Sequence, residues 1–242
     1  MREPDPIFAD PRLAPLYDPL DPDRSDLDAY VALVDELGAR SVVDVGCGTG
    51  CLAVLLAERG LSVVGVDPAD ASLEVARAKP HADRVTWVHG VATDLPPLDV
   101  DLVVMTGNVA QVFVTDDDWH TTLSAVRDRL RPGGWLVFET RRPEARAWES
   151  WELPPTTVTL PDGTEVGVAR RVTEVAPPLV TFVWETTVDG VVVPSISTLR
   201  FRTYDELVAD LGAHGFEAVD VREAPDRPGK ELVFVARLEE DA

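Results

Sequence analysis

Val42-Val43-Asp44-Val45-Gly46-Cys47-Gly48-Thr49-Gly50 is the stretch on which the fold turns. Its first half is β-branched and continues Ser41 into a short buried strand, Ser41–Val45. Its second half places three glycines at alternate positions. An apolar helical pattern follows at once from Cys51 to Glu58 (Leu52, Val54, Leu55, Leu56), closed by Gly60. Glycine tolerates positive φ and lets a ligand approach the backbone closely. The helix start beyond presents N–H groups with no intrahelical acceptor. Strand, glycine turn and helix together make a ligand-binding edge.

Two details narrow the ligand. The spacing Gly46-x-Gly48-x-Gly50 differs from the dinucleotide fingerprint, whose third glycine falls one residue later. Asp44 sits at the strand end beside the loop. A carboxylate there repels a pyrophosphate but attracts a sulfonium and an ammonium, directly or through water. Those two cations occur together in S-adenosylmethionine. Asp67 ends the apolar strand Ser62–Val66, where its carboxylate can accept from ribose hydroxyls or begin a helix.

Outward from the loop, strand and helix patterns alternate. Asp26–Leu37 is a helical stripe stopped by Gly38. Ala71–Lys79 is a helix ended by Pro80, and Val85–His89 and Val100–Met105 are strands. Asp117–Leu130 is a helix stopped by Arg131-Pro-Gly-Gly134, before the strand Trp135–Thr140. Such alternation predicts a doubly wound α/β fold with a mostly parallel sheet. Between Arg141 and Arg202 the pattern becomes Val/Thr-rich and is broken by Asp162-Gly163 and Asp189-Gly190. Asp-Gly between alternating runs predicts two antiparallel hairpins, Thr156–Leu160 with Glu165–Val175 and Val180–Val188 with Val191–Phe201. Helix Thr203–Ala213 and strands Phe216–Val221 and Glu231–Arg237 complete the chain. The whole, 1–242, reads as one domain, with 141–202 an antiparallel β insertion placed to act as a lid.

Of the 242 residues, 22 are Lys or Arg against 43 Asp or Glu, a formal net charge of −21. That balance argues against a nucleic-acid partner. No apolar run is long enough to span a membrane, and Met1–Asp10 lacks the apolar core of a secretory signal. The expectation is a cytoplasmic protein, monomer or homodimer, without metal. Cys47 and Cys51 form neither a disulfide framework nor a zinc pattern. The four histidines have no partner at metal spacing.

Val43-Asp-Val-Gly-Cys-Gly-Thr-Gly50, Asp67, Gly107-Asn108 and Leu130-Arg-Pro-Gly-Gly-Trp-Leu-Val-Phe138 together resemble the class I S-adenosylmethionine-dependent methyltransferases of the small-molecule type. The resemblance covers residues 13–140 and, more loosely, 200–237. It implies a seven-stranded sheet in the order 3-2-1-4-5-7-6 with the last strand antiparallel. It also implies that Asp44, Gly46, Cys47, Gly48 and Gly50 surround the methionine part, and that Asp67 and Pro68 hold the ribose. Adenine then falls at Ala92, Thr93 and Asp94, and Gly107 and Asn108 lie beside the methyl donor, which leaves as S-adenosylhomocysteine. Many relatives carry Gly-Asp-Ala where this chain has Gly90-Val91-Ala92, so the usual acidic acceptor for the adenine amino group is missing; Asp94 is either its substitute or a turn residue.

The acceptor is expected to be a small molecule, methylated mainly through proximity and desolvation, because a base is required only if the acceptor loses a proton during attack. Candidate acceptor contacts are Tyr17, Gln111, Glu139, Arg141 and Trp148, and candidate bases are His120 and Glu139. Rival readings are an NAD(P)-dependent oxidoreductase and a non-catalytic S-adenosylmethionine-binding module acting through a partner.

Overall fold

The computed structural model describes residues 3–240. Seven strands form the main sheet: β1 (Ser41–Val45), β2 (Ser62–Asp67), β3 (Val85–His89), β4 (Val100–Met105), β5 (Leu130–Arg141), β10 (Phe216–Glu223) and β11 (Glu231–Leu238). Their spatial order is β3-β2-β1-β4-β5-β11-β10. The first five are parallel, while β11 runs antiparallel to both β5 and β10. This is the order expected from the sequence. β1 and β4 are buried almost throughout, as strands covered on both faces must be.

Helices α3 (Asp28–Leu37), α4 (Cys51–Glu58) and α5 (Asp70–Ala78) follow the predicted stripes, with α6 (Asp116–Arg127) and α7 (Tyr204–Ala213) beyond them. Each end has a local cause. Gly38 closes α3 at φ +65°. Thr115 caps α6 by accepting from the Asp118 N–H, and Asp116, Asp117 and Asp118 face the positive end of its dipole. Thr203 and Glu206 form a reciprocal capping box at α7. On one face of the sheet Val43, Val103, Leu136, Phe138 and Phe234 pack against Trp119, Leu123, Leu207 and Leu211. On the other, Val42, Leu102, Val137 and Val235 meet Tyr30, Leu33, Leu52 and Leu56.

β5 begins at Leu130, five residues before the predicted start. Leu130 already pairs with Val100, and the register shifts before Trp135 pairs with Leu102. The Arg-Pro-Gly-Gly run is thus an irregularity within the strand, and α6 stops before it, at Arg127 with Asp128 as its C-cap, rather than running to Leu130.

The insertion also differs from two separate hairpins. β6 (Leu153–Thr159), β7 (Glu165–Ala176), β8 (Leu179–Val188) and β9 (Val191–Arg200) form one four-stranded antiparallel sheet. Asp189 and Gly190 both take positive φ, as a two-residue hairpin of right-handed twist requires. The two hairpins are joined across a cis Pro177–Pro178 bond, beyond which Ala176 pairs with Leu179. Along its inner face, Leu160, Val166 and Val168 pack on Leu16 and Leu20, while Trp148, Trp151, Val180, Leu199 and Phe201 meet Val112.

Leu16 and Leu20 belong to an N-terminal strap whose short helices α1 (Pro6–Ala9) and α2 (Tyr17–Leu20) have no amphipathic period to read. The Ile7 N–H donates to Ser195 Oγ on β9 at 3.0 Å. The strap therefore lies between the insertion and the main sheet. Among the described residues no helix is long and apolar enough to cross a membrane.

Phe138 stacks on Phe234 at 5.0 Å and edges onto Trp119 at 5.7 Å, and none of the three is exposed. Phe138→Ala is expected to cost about 3–5 kcal/mol of stability, read as a lower urea midpoint at unchanged slope.

Candidate functional site

The carboxyl ends of β1, β2 and β4 open under the strap into a cavity of about 200 Å³. Gly46, Cys47, Gly48 and Thr49 form one wall, with Asp44 and Asp67 below them. Pro68 and Gly90 to Ala92 form a second wall, and Thr106, Gly107, Val109, Val112 and Phe113 a third. Phe8, Tyr17, Arg24 and Leu27 of the N-terminal region close the top.

The three glycines of the loop do different jobs. All have positive φ, at +72°, +52° and +76° for Gly46, Gly48 and Gly50. A Cβ on Gly50 would lie 2.5 Å from Trp87 Cη2, and one on Gly46 would lie 2.5 Å from Val109 Cγ2. These two are small because neighbouring side chains fill the space. A Cβ on Gly48 would meet nothing, so of the three loop glycines only this one faces open volume in the cavity wall.

Asp67 fastens the loop. Its two oxygens accept from the N–H of Gly48 and of Ala69, each at 2.8 Å. Burial raises its pKa while these two bonds pull it down. Asp44 has no such support. It is 1% exposed, and its Oδ1 has no hydrogen-bond partner among the described residues. Burial, with the charge of Asp67 added, pushes its carboxyl up to about 7. An unpaired carboxylate removed from water is costly. A cationic ligand in this cavity would relieve that cost, so the residues present fit a sulfonium- and ammonium-bearing molecule. Burial, with Asp44 and Asp67 nearby, also pushes the Cys47 thiol up.

A network around Lys79 ties the strap to the loop. Its ammonium pairs with Asp18 Oδ2 at 2.6 Å and donates to the Thr49 carbonyl at 2.6 Å and to Cys51 Sγ at 3.0 Å. Thr49 Oγ1 donates to Asp18 Oδ1 at 2.6 Å. Phe8 and Tyr17 lie 5.6 Å apart, ring to ring, over the cavity. Nothing in the sequence marks Lys79, Phe8, Arg24 or Leu27 for this place; Lys79 reads only as the last residue of a helix.

Several expected site residues lie elsewhere. Thr93 and Asp94 are exposed and do not line the cavity. Asp94 Oδ2 accepts from the Val91 N–H at 2.8 Å, the turn role rather than a substitute adenine contact. Asn108 and Gln111 are buried behind the third wall. The Asn108 N–H donates to Glu139 Oε1 at 2.9 Å, and its side-chain amide reaches Glu139 and Glu231. Glu139 is 7% exposed and also accepts from the Tyr30 hydroxyl of α3. Its raised pKa follows chiefly from burial. Arg141 pairs with Glu231 at 3.1 Å, donates to Gln111 Oε1 and lies over Trp151. Trp148 packs edge-on against Phe201 at 4.7 Å in the core of the insertion. His120 sits on α6, with Nδ1 2.9 Å from His214 Nε2, on the side facing α7. Glu139, Arg141, Trp148 and His120 do not line the cavity. Helical or strand position fixed these residues in sequence, but the direction of each side chain was set by which neighbour it packs against.

The glycine geometry separates two variants. Gly48→Ala is expected to cost about 1–2 kcal/mol from its left-handed backbone alone. Gly50→Ala is expected to cost roughly 1–3 kcal/mol more, because Trp87 must move; paired urea melts give the difference. Asp44 supplies a pH test. Its folded pKa lies above the ordinary carboxylate value, so the folded state holds the proton more tightly and stability falls as pH rises from about 4 towards 7. Against Asp44→Asn, the ligand-free wild type should lose on the order of a few kcal/mol between pH 4 and pH 8. A difference independent of pH in denaturant melts would refute the assignment.

Residues 42–134 match the family described as Methyltransferase domain. The ubiquinone biosynthesis O-methyltransferase of Idiomarina loihiensis is 34% identical over 121 residues, 47% of each chain. The chain spans about half the length of the curated relatives it matches. Among solved structures, an S-adenosylmethionine-dependent methyltransferase from Clostridium acetobutylicum superposes with a TM-score of 0.77 at 18% identity, covering 93% of this chain and 97% of the other. The amino pentose methyltransferase CalS10 from Micromonospora echinaspora, solved with S-adenosylmethionine bound, gives 0.67 at 22% identity, covering 90% and 94%. Over residues 42–134 the chain is thus similar to the Methyltransferase domain family, and its strand order and superposition place it in the fold of these solved methyltransferases.

Proposed function

We propose that this protein transfers a methyl group from S-adenosylmethionine to a small-molecule acceptor enclosed beneath its N-terminal strap. The observation that carries the proposal is the buried, unpartnered Asp44 carboxylate in the wall of a cavity opened by Gly48. Asp44 and the backbone of Gly46, Cys47 and Gly48 hold the methionine part. Each Asp67 oxygen keeps a lone pair beyond its bond to the backbone and takes the ribose hydroxyls. Adenine lies along Pro68, Val91 and Ala92, with backbone groups replacing the absent acid. Thr106 and Gly107 border the reacting methyl group.

When bound, S-adenosylmethionine supplies an electrophilic methyl on a positive sulfur. The protein aligns the acceptor and excludes water, which together can lower the barrier by several kcal/mol. Leu27, Val112 and Phe113 form an apolar acceptor end, with Glu3, Asp5 and Arg24, the last paired with Asp26, as charged groups of the same lining. No histidine lines it. The carboxylates of Glu3 and Asp5 line the same cavity, and the reading assigns the role of general base to neither. The insertion packs on the strap, which favours an acceptor small enough to be enclosed. That CalS10 acts on an amino pentose, and that the Idiomarina relative is named for ubiquinone biosynthesis, agrees with an acceptor of that size. The net charge of −21 speaks against a nucleic-acid acceptor, and the protein is read as cytoplasmic, a monomer or homodimer, with no membrane partner.

Calorimetry with S-adenosylmethionine, S-adenosylhomocysteine and NADH tests the cofactor. The first two should bind and the third should not. Asp44→Asn should weaken S-adenosylmethionine by about 10–100-fold while leaving adenosine nearly unchanged. Tight NADH binding with no response to the sulfonium would end the proposal. Methylation of a panel of amino sugars, phenols and amines, followed by S-adenosylhomocysteine release, tests turnover. Cofactor binding with no product from any acceptor would favour a binding module.

A further inference from the structure

A second hollow, of about 570 Å³, opens on the α7 face of the sheet at the carboxyl end of β5, and it shares no lining residue with the cofactor cavity. Its volume falls in the range of small-molecule sites. Leu207, Val221 and Leu232 give it an apolar floor, and Arg142 and Arg202 stand in its walls.

These two arginines are incompletely satisfied. Arg202 is 3% exposed, and its terminal nitrogens donate only to the carbonyls of Ala110, Phe113 and Thr115. It forms no ion pair among the described residues, and its guanidinium lies 5.0 Å from the Trp119 ring centroid. Burial and the neighbouring Arg200 lower its pKa to about 10, against the weaker opposing pull of Asp210, Asp116 and Glu206, so it is charged at neutral pH. Arg142 bonds Glu223 at 3.2 Å through Nη2. Both arginines keep a buried Nε–H with no acceptor among the described residues. Buried donors are normally paired, and an unpaired one costs about 1–3 kcal/mol. Of the acids on the wall, Asp220 is held by Arg222 at 2.7 Å, and Glu144 is exposed.

We propose that this hollow is a binding site for a small organic carboxylate, whose oxygens accept from Arg202 and Arg142 and whose hydrocarbon body covers Leu207, Val221 and Leu232. The site is independent of methyl transfer and would survive the failure of that reading. Ligand and wall match in two respects. The charge is complementary to the guanidinium pair, and Leu207, Val221 and Leu232 offer a hydrocarbon surface to a chain or ring.

The arginine Nε–H resonances of the full chain report directly on the site. Titration with 3-phenylpropionate should shift those of Arg142 and Arg202, while the neutral 3-phenylpropanamide should bind at least about tenfold more weakly. Val219→Glu places a carboxylate at the rim, where the native residue is 51% exposed. It should weaken the acid by about tenfold or more, as should Arg142→Gln, with S-adenosylmethionine affinity unchanged in both. Equal binding of acid and amide, the same shifts from chloride, unaltered binding to both variants, or no shift up to about 10 mM acid would each overturn the assignment.

Discussion

A carboxylate held out of water without a partner governs the arrangement around it. Asp44 lies inside a parallel strand with neighbours on both sides, so it cannot turn to solvent. Asp67 stands on the adjacent strand and adds to the repulsion, although its own charge is spread over two backbone N–H groups. The ligand-free site is therefore electrostatically unfinished. Affinity for a cation and strain in its absence are two sides of one burial. A more stable side chain at this position would discard the attraction with the strain, the usual conflict between stability and a working site.

The glycine loop depends on this edge from several directions. Asp67 fixes it from below through Gly48, Trp87 and Val109 fill the space that Gly50 and Gly46 leave, and Lys79 grips Thr49 from the side. Lys79 also holds Asp18 of the strap, so roof and loop share one ammonium. Asp18 keeps its pKa below the ordinary value despite partial burial, through Lys79 and Thr49. The insertion sheet rests on the far side of the strap, which makes the enclosure three layers deep above the carboxyl edge.

The acids at the end of β5 serve the same edge indirectly. Glu139 accepts from the Asn108 N–H and the Tyr30 hydroxyl, and Glu231 is neutralised by Arg141 and Arg227. Asn108 takes a left-handed φ of +62°, a conformation that costs non-glycine residues free energy unless the surroundings hold it. Glu139 holds it through the backbone N–H, and the neighbouring Gly107 and Val109 thereby take their places in the cavity wall. Glu139, a candidate base in the sequence, supports the loop from behind.

The sequence by itself determined the strand–turn–helix unit, the alternation of parallel strands and helices, both Asp-Gly turns, and the acids at the ends of β1 and β2. These features follow from local rules: β-branched runs, helical spacing, glycine at positive φ, and carboxylates at strand ends. Tertiary structure decided what local rules cannot reach. The union of two hairpins in one sheet, the strap above the loop and the grip of Lys79 all join residues far apart in the chain. The fates of Asn108, Glu139, Arg141, Trp148 and His120 were decided in the same way. A side chain's position along an element is periodic and readable, whereas its partner is whichever group the packed fold brings within a few ångströms, and that proximity exists only once the chain has closed on itself.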